Sequence, residues 1–150
     1  MAIQAKYVHT NLIARDWRSL AAFYESVFAC TRVPPERDLS GDALERGAGV
    51  PGATLRGVHL RLPGCGPEGP TLEIFTYNAL ANAQQPAANR PGFGHIAFAV
   101  SDVAAARDAV IAAGGSAHGD VVTTAAGERQ VTWAYVRDPE GNLIELQVWS

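Results

Sequence analysis

The chain states one pattern twice. His9 stands seven residues ahead of Asp16, and the helical pattern Trp17 to Phe28 follows; His95 stands seven residues ahead of Asp102, and the helical pattern Val103 to Ala113 follows. Each half then closes on an apolar strand with one glutamate inside it. These are Thr71-Leu72-Glu73-Ile74-Phe75 and Leu143-Ile144-Glu145-Leu146-Gln147. An ionised carboxylate on an otherwise apolar strand is costly to desolvate unless a partner compensates it. Two histidines and two glutamates at equivalent places in a repeat are therefore read as one metal site: His9, Glu73, His95 and Glu145.

Length and composition allow this pattern to sit in one compact domain. A chain of 150 residues with 47% hydrophobic content can bury about 68–70% of its unfolded surface without covalent staples. Cys30 and Cys65 are too few and too far apart for a disulfide framework or a Cys-x-x-Cys site, so a reduced, cytoplasmic setting is expected. Met1 to Lys6 lacks the apolar stretch of a secretory leader, and no apolar run approaches the ~20 residues needed to span a bilayer. No membrane partner is therefore expected, and a net charge of −3 without a basic cluster argues against nucleic acid as one.

Periodicity predicts an α+β chain of two βαβββ units, module 1 over about 5–78 and module 2 over about 92–150. In module 1 a strand at Tyr7 to Ile13 leads into a helix capped by Asp16, with Leu20, Phe23, Tyr24, Val27 and Phe28 at helical spacing. Arg32 to Gly52, rich in proline and glycine, reads as a connection or a lid with a short helix at Ser40 to Arg46 ended by Gly47. Strands follow at Thr54 to Leu62 and Thr71 to Tyr77. The polar stretch 79–91 reads as a linker. In module 2 a strand at Gly94 to Val100 meets a helix stopped by Gly114-Gly115. Weaker strands lie at Asp120 to Thr124 and Val131 to Arg137. The last strand, Leu143 to Trp149, follows the turn Asp138-Pro139-Glu140-Gly141-Asn142.

Strand alternation tests whether the four candidates face one way. His9 shares a face with Tyr7 and Asn11, Glu73 with Phe75 and Tyr77, His95 with Phe93 and Ala97, and Glu145 with Gln147. In every case the aliphatics fall on the opposite face, where a helix would cover them. Taken singly, His95 reads as a hydrogen-bonded core histidine, His9 as a surface residue and Glu73 as a partner of Arg61. Shared parity and the repeat favour the metal reading. His118 falls in a glycine-rich loop and reads as solvated. His59 shares the inward parity with Arg61, as do Tyr77, Trp133 and Tyr135. These five are the candidate substrate-binding residues, with Arg61 suited to a carboxylate or phosphate.

The segments Gly92-Phe93-Gly94-His95-Ile96-Ala97-Phe98 and Asp138 to Leu146, together with the repeat over nearly the whole chain, resemble the vicinal oxygen chelate superfamily. That superfamily includes glyoxalase I, methylmalonyl-CoA epimerase, extradiol dioxygenases and the fosfomycin and bleomycin resistance proteins. The resemblance implies that the two modules curl into a half-open, eight-stranded barrel around one divalent metal, with His9, Glu73, His95 and Glu145 as first to fourth ligands. Two imidazoles and two carboxylates balance a 2+ ion, and ligation without thiolate suits Ni, Co, Fe(II), Mn or Zn. The implied chemistry stabilises an enediolate on a small oxygenated substrate. Glu145 is the candidate base and Glu73 its near-symmetric counterpart. The resemblance also implies a homodimer, whose site is formed within one chain or between two.

Departures from individual branches limit what carries over. Glyoxalase I typically has an arginine four residues after its first ligand. Here that position is Ile13, with Arg15 two places later on the same parity. Epimerases use an extra strand glutamate before the second ligand, and only His59 could serve as a base there. Extradiol dioxygenases use two histidines and one carboxylate, whereas this chain has a second glutamate. The expected activity is a metal-dependent lyase or isomerase of glyoxalase type. The alternatives are a metal-dependent dioxygenase or thiol transferase, and a module that sequesters a drug or metabolite without chemistry.

Overall fold

The computed structural model describes all residues, Met1 to Ser150. Three helices and eight strands divide into two compact units, Met1–Asn82 and Ala83–Ser150. The boundary falls in the polar stretch between the repeats. None of the three helices is long and apolar enough to cross a membrane.

Unit 1 runs β1 (His9–Ile13), α1 (Trp17–Phe28), β2 (Thr31–Ser40), α2 (Asp42–Ala48), β3 (Thr54–Arg61) and β4 (Thr71–Tyr77). Its sheet has the order β1-β4-β3-β2, with β1 parallel to β4 and the other pairs antiparallel. The entry to α1 is set by Asp16, whose Oδ1 accepts from the backbone N–H groups of Arg18 (3.0 Å) and Ser19 (3.2 Å). These are donors that a helix start leaves without an intrahelical partner. Leu20, Ala21 and Tyr24 of α1 are fully buried, and the helix packs on β3 and β4. There it covers Val58, Leu60, Leu72 and Ile74, all at 1% exposure or less. Each such side chain contributes roughly 1.5–3 kcal/mol of burial free energy. The alternate residues of β3 and β4, including His59 and Glu73, are thereby turned to the opposite face.

The segment Arg32 to Gly52 is not the loop or lid that its prolines and glycines predict. Its first part is the edge strand β2, paired with β3 from Thr31↔Arg61 to Ser40↔Thr54, with a bulge between Val33 and Arg37. Pro34 and Pro35 fall inside that bulge, where no ladder hydrogen bond is asked of them. The short helix lies at Asp42–Ala48, ends at Gly49 with φ +67°, and contains Gly47 within it.

Unit 2 repeats the order with β5 (Ile96–Ala99), α3 (Val103–Ala112), β6 (Ser116–Ala126), β7 (Arg129–Arg137) and β8 (Leu143–Trp149), its sheet ordered β5-β8-β7-β6. Asp102 caps α3 by accepting from Ala105 N at 2.9 Å. Val103 and Val110 of α3 and Ala134, Val136, Ile144 and Leu146 of the sheet form its core. β6 is twice as long as expected, because pairing with β7 satisfies a backbone whose own side chains are mostly small. In the β7–β8 turn, buried Asp138 accepts from Glu140 N (2.9 Å), Asn142 N (3.0 Å) and Asn142 Nδ2 (2.9 Å).

The two cysteines differ in environment. Cys30 is buried and Cys65 exposed; burial, with the charge of Glu25 adding to it, pushes the Cys30 thiol up to about 11. A thiol reagent at pH 8 is expected to modify Cys65 rapidly and Cys30 only after denaturant is added. Two thiols reacting equally fast in the native protein would contradict this burial.

Candidate metal centre

Three adjacent strands of unit 1 assemble a cluster of ligand-type side chains. β1 supplies His9, β4 supplies Glu73, and β3 supplies His59, which lies directly opposite Glu73 in the register. His59 Nε2 is 2.5 Å from Glu73 Oε2, and His9 Nε2 is 3.7 Å from Glu73 Oε1. The two imidazole rings meet edge to face with centroids 5.4 Å apart. The other atoms of the cluster are also engaged. Asn11 Nδ2 donates to Glu73 Oε1 at 2.9 Å, and Thr71 Oγ1 lies 2.8 Å from His59 Nδ1. Burial holds the His59 imidazole below its ordinary range although the Glu73 carboxylate opposes this, and Arg37 and His9 add repulsion. His9, His59 and Glu73 are able to hold a metal ion, with one donor atom each, all within 4.8 Å of one another.

Unit 2 builds a smaller counterpart. His95, just ahead of β5, places Nε2 at 2.9 Å from Glu145 Oε2 on β8. The residue opposite Glu145 in the register is Tyr135, so Tyr135 occupies the place that His59 holds in unit 1. Its ring lies 5.0 Å from that of His95 and 5.2 Å from that of Trp133. Burial first, then the charge of Glu145, raises the Tyr135 phenol, which stays protonated in neutral solution.

The remaining sequence-predicted residues divide by environment. Arg61 and Arg137 end equivalent strands, and each ties the turn that follows: Arg61 donates to Gly69 O (2.6 Å) and Arg137 to Gly141 O (2.8 Å). Glu73 therefore finds His59, not Arg61, as its close partner. Tyr77, at the end of β4, lines an open cleft of about 540 Å³ together with Arg15, Arg56 and Asn78, and none of the candidate ligands borders that cleft. Two arginines of its lining are held in ion pairs, Arg18 with Glu36 at 3.5 Å and Arg56 with Asp38 at 3.1 Å. His118 is not in a solvated loop. It lies on β6 opposite Tyr135, half-buried, with Nδ1 3.2 Å from an Arg137 guanidinium nitrogen. Asn11 and Thr71 were not singled out by the sequence as members of the site. The parity that Asn11 shares with His9 was the available signal for the first.

Two four-stranded mixed sheets, each with a helix on one face and His and Glu side chains on the other, define a two-module α+β fold. The family model described as the Glyoxalase/Bleomycin resistance protein/Dioxygenase superfamily matches residues 6–146, and the chain belongs to that superfamily. A glyoxalase family protein from Bacillus cereus is similar in structure, with a TM-score of 0.77 and 17% identity over 98% of this chain and 94% of that one. The genomically encoded fosfomycin resistance protein FosX from Listeria monocytogenes superposes with a TM-score of 0.61 and 18% identity, covering 100% of this chain and 96% of that one. A glyoxylase/bleomycin resistance protein/dioxygenase domain from Frankia sp. EAN1pec gives a TM-score of 0.60 and 16% identity over 99% and 100% of the two chains. No curated protein matches the sequence at a significant level.

Proposed function

We propose that the chain is a divalent-metal-dependent enzyme of glyoxalase type, a lyase or isomerase acting on a small oxygenated substrate, with His9, Glu73, His95 and Glu145 as metal ligands. One observation carries this reading. Each unit pairs one imidazole nitrogen with one carboxylate oxygen, at 3.7 Å for His9–Glu73 and 2.9 Å for His95–Glu145. Neighbouring donors on one ion, each bound at about 2.0–2.2 Å, sit about 3 Å apart. The donor set also fits in charge, since two carboxylates balance a 2+ ion and the absence of thiolate suits Ni, Co, Zn, Mn or Fe.

A divalent ion held by His9, Glu73, His95 and Glu145 would supply Lewis-acid stabilisation of the negative charge that develops on a substrate oxygen when the neighbouring carbon loses a proton. Glu145 accepts that proton at a carboxylate oxygen and returns it to the adjacent carbon, so the net change is a proton shift. Glu73 occupies the equivalent place in the other unit. Tyr135, held protonated beside Glu145, remains a hydrogen-bond donor to the substrate. His59, Arg61, Tyr77 and Trp133 complete the proposed substrate contacts. A sequestering module would have no need of a full donor set, and this favours catalysis over storage.

The chain is expected to bind one divalent ion, to melt at a higher temperature when loaded, and to release protons on loading. His9→Ala combined with His95→Ala should abolish all three effects. Stoichiometric metal persisting in that double variant, measured by elemental analysis, would refute the site. We further propose a homodimer, for which light scattering at micromolar concentration should give twice the monomer mass of 15.9 kDa. A monomer with full activity would exclude it.

A further inference from the structure

We propose that unit 1 is a metal centre by itself, in which His59 Nε2 joins His9 Nε2 and a Glu73 carboxylate oxygen around one divalent cation. This rests on the metal reading above, with which it shares His9 and Glu73. It adds a ligand on a third strand, so that His59 acts on the substrate through the ion and not by direct contact.

The geometry is that of a nearly formed three-point site. The three residues lie on adjacent strands of one sheet, in the order β1-β4-β3, and their donor atoms fall within 4.8 Å of one another. Donors held by one ion at about 2.1 Å are separated by about 3 Å when adjacent and by about 4.2 Å when opposed. Side-chain adjustments below an ångström therefore close the set. His59 and Glu73 are half-buried, with side-chain exposures of 14% and 12%, so they do not relax into solvent.

The groups behind the donors are those that metal ligands need. A ligating histidine has its other ring nitrogen hydrogen-bonded, which fixes ring orientation and tautomer. Thr71 Oγ1 stands 2.8 Å from His59 Nδ1. A hydroxyl oxygen can accept from Nδ1–H, which leaves the Nε2 lone pair directed at the cation. Asn11 Nδ2 holds one Glu73 oxygen at 2.9 Å, so the carboxylate is also oriented from behind. Unit 2 lacks this arrangement, because the residue opposite its glutamate is Tyr135. The duplication is thus asymmetric, with three donors in one unit and two in the other. Two imidazoles and a single carboxylate leave one positive charge on a bound 2+ ion. Such a centre suits Zn, Co, Ni or Fe(II) better than Mg or Ca, and it favours an anionic oxygen ligand.

Titration of the full chain with Co²⁺, followed by visible absorption and calorimetry, tests this. In the otherwise native chain, His59→Ala is expected to weaken Co²⁺ binding at least tenfold. Thr71→Val, which removes only the hydrogen bond behind His59, should weaken it about 10–100-fold. That variant keeps the proposal testable if His59→Ala fails to fold, with thermal melts of the metal-free variants as the folding control. The chain carrying His95→Ala and Glu145→Gln should still take up one Co²⁺, and adding His59→Ala to it should eliminate uptake. If the His95→Ala, Glu145→Gln chain loses metal as completely as His9→Ala does while the native chain binds one ion, the four-ligand site stands and the unit 1 centre is overturned. Unchanged affinity in His59→Ala also overturns it. No uptake by the native chain removes both readings.

Discussion

Glu145→Gln is expected to keep most of its metal and to lose about 10²–10⁴-fold in kcat, the usual contribution of a positioned general base. The amide retains an oxygen where the carboxylate oxygen lies 2.9 Å from His95 Nε2, so the neighbourhood of His95 is preserved. It cannot hold a proton taken from carbon. Glu73→Gln should act differently. Glu73 is fastened by Asn11 at 2.9 Å and by His59 at 2.5 Å, and an amide there still offers an oxygen donor while weakening the charge balance with the ion. Its main effect should be on metal affinity, with a smaller loss of turnover at saturating metal. Steady-state kinetics at several metal concentrations separate the two, once a substrate has been found among hemithioacetals, catechols and activated thioesters. Near-full turnover in Glu145→Gln with an inactive Glu73→Gln would exchange the roles. Two active variants would move the base to another residue.

Gly57→Ala is expected to destabilise the chain by about 1–3 kcal/mol or more, lowering Tm by about 3–10 °C. Gly57 lies opposite Phe75 in the β3–β4 pair. A Cβ there would stand 2.0 Å from the Ile74 carbonyl oxygen and 2.4 Å from Phe75 Cδ1. The first of these is backbone, so the two strands must part or the ladder must shift. The Phe75 ring would move as well, and its centroid is 6.4 Å from that of His59. The variant should therefore bind metal less tightly in addition to melting earlier. Gly47→Ala is the control. Gly47 is helical, has nothing within 4 Å of the added carbon and has no positive φ, so this substitution should be neutral or mildly stabilising. Equal melting temperatures for Gly57→Ala and the native chain would contradict the close approach of β3 and β4.

Local chemistry made much of this molecule legible in its residues. Asp16 and Asp102 announce their helices because a short acidic side chain is the natural acceptor for the first N–H groups of a helix. Alternation in Thr71 to Tyr77 and Leu143 to Trp149 assigns Glu73 and Glu145 to the face away from the helix, since burial of Leu72, Ile74, Ile144 and Leu146 leaves no other choice of face. The repeat of His before Asp shows that the two units are copies. All of this depends only on which residues neighbour one another along the chain.

What required the tertiary structure is everything that depends on neighbours across strands. β2 and β6 are edge strands rich in proline, glycine or small residues. Their order comes from hydrogen bonds given by β3 and β7, and their own side chains carry little trace of it. The same holds for the candidate site. Parity places His59 and Arg61 on one face and cannot say which of them meets Glu73. Register decides it, by setting His59 opposite Glu73 and leaving Arg61 two residues along to hold the turn. Register likewise puts Tyr135 opposite Glu145 and His118 opposite Tyr135, because a side chain's face follows from its place in its own strand, while its partner follows from how two strands slide against each other.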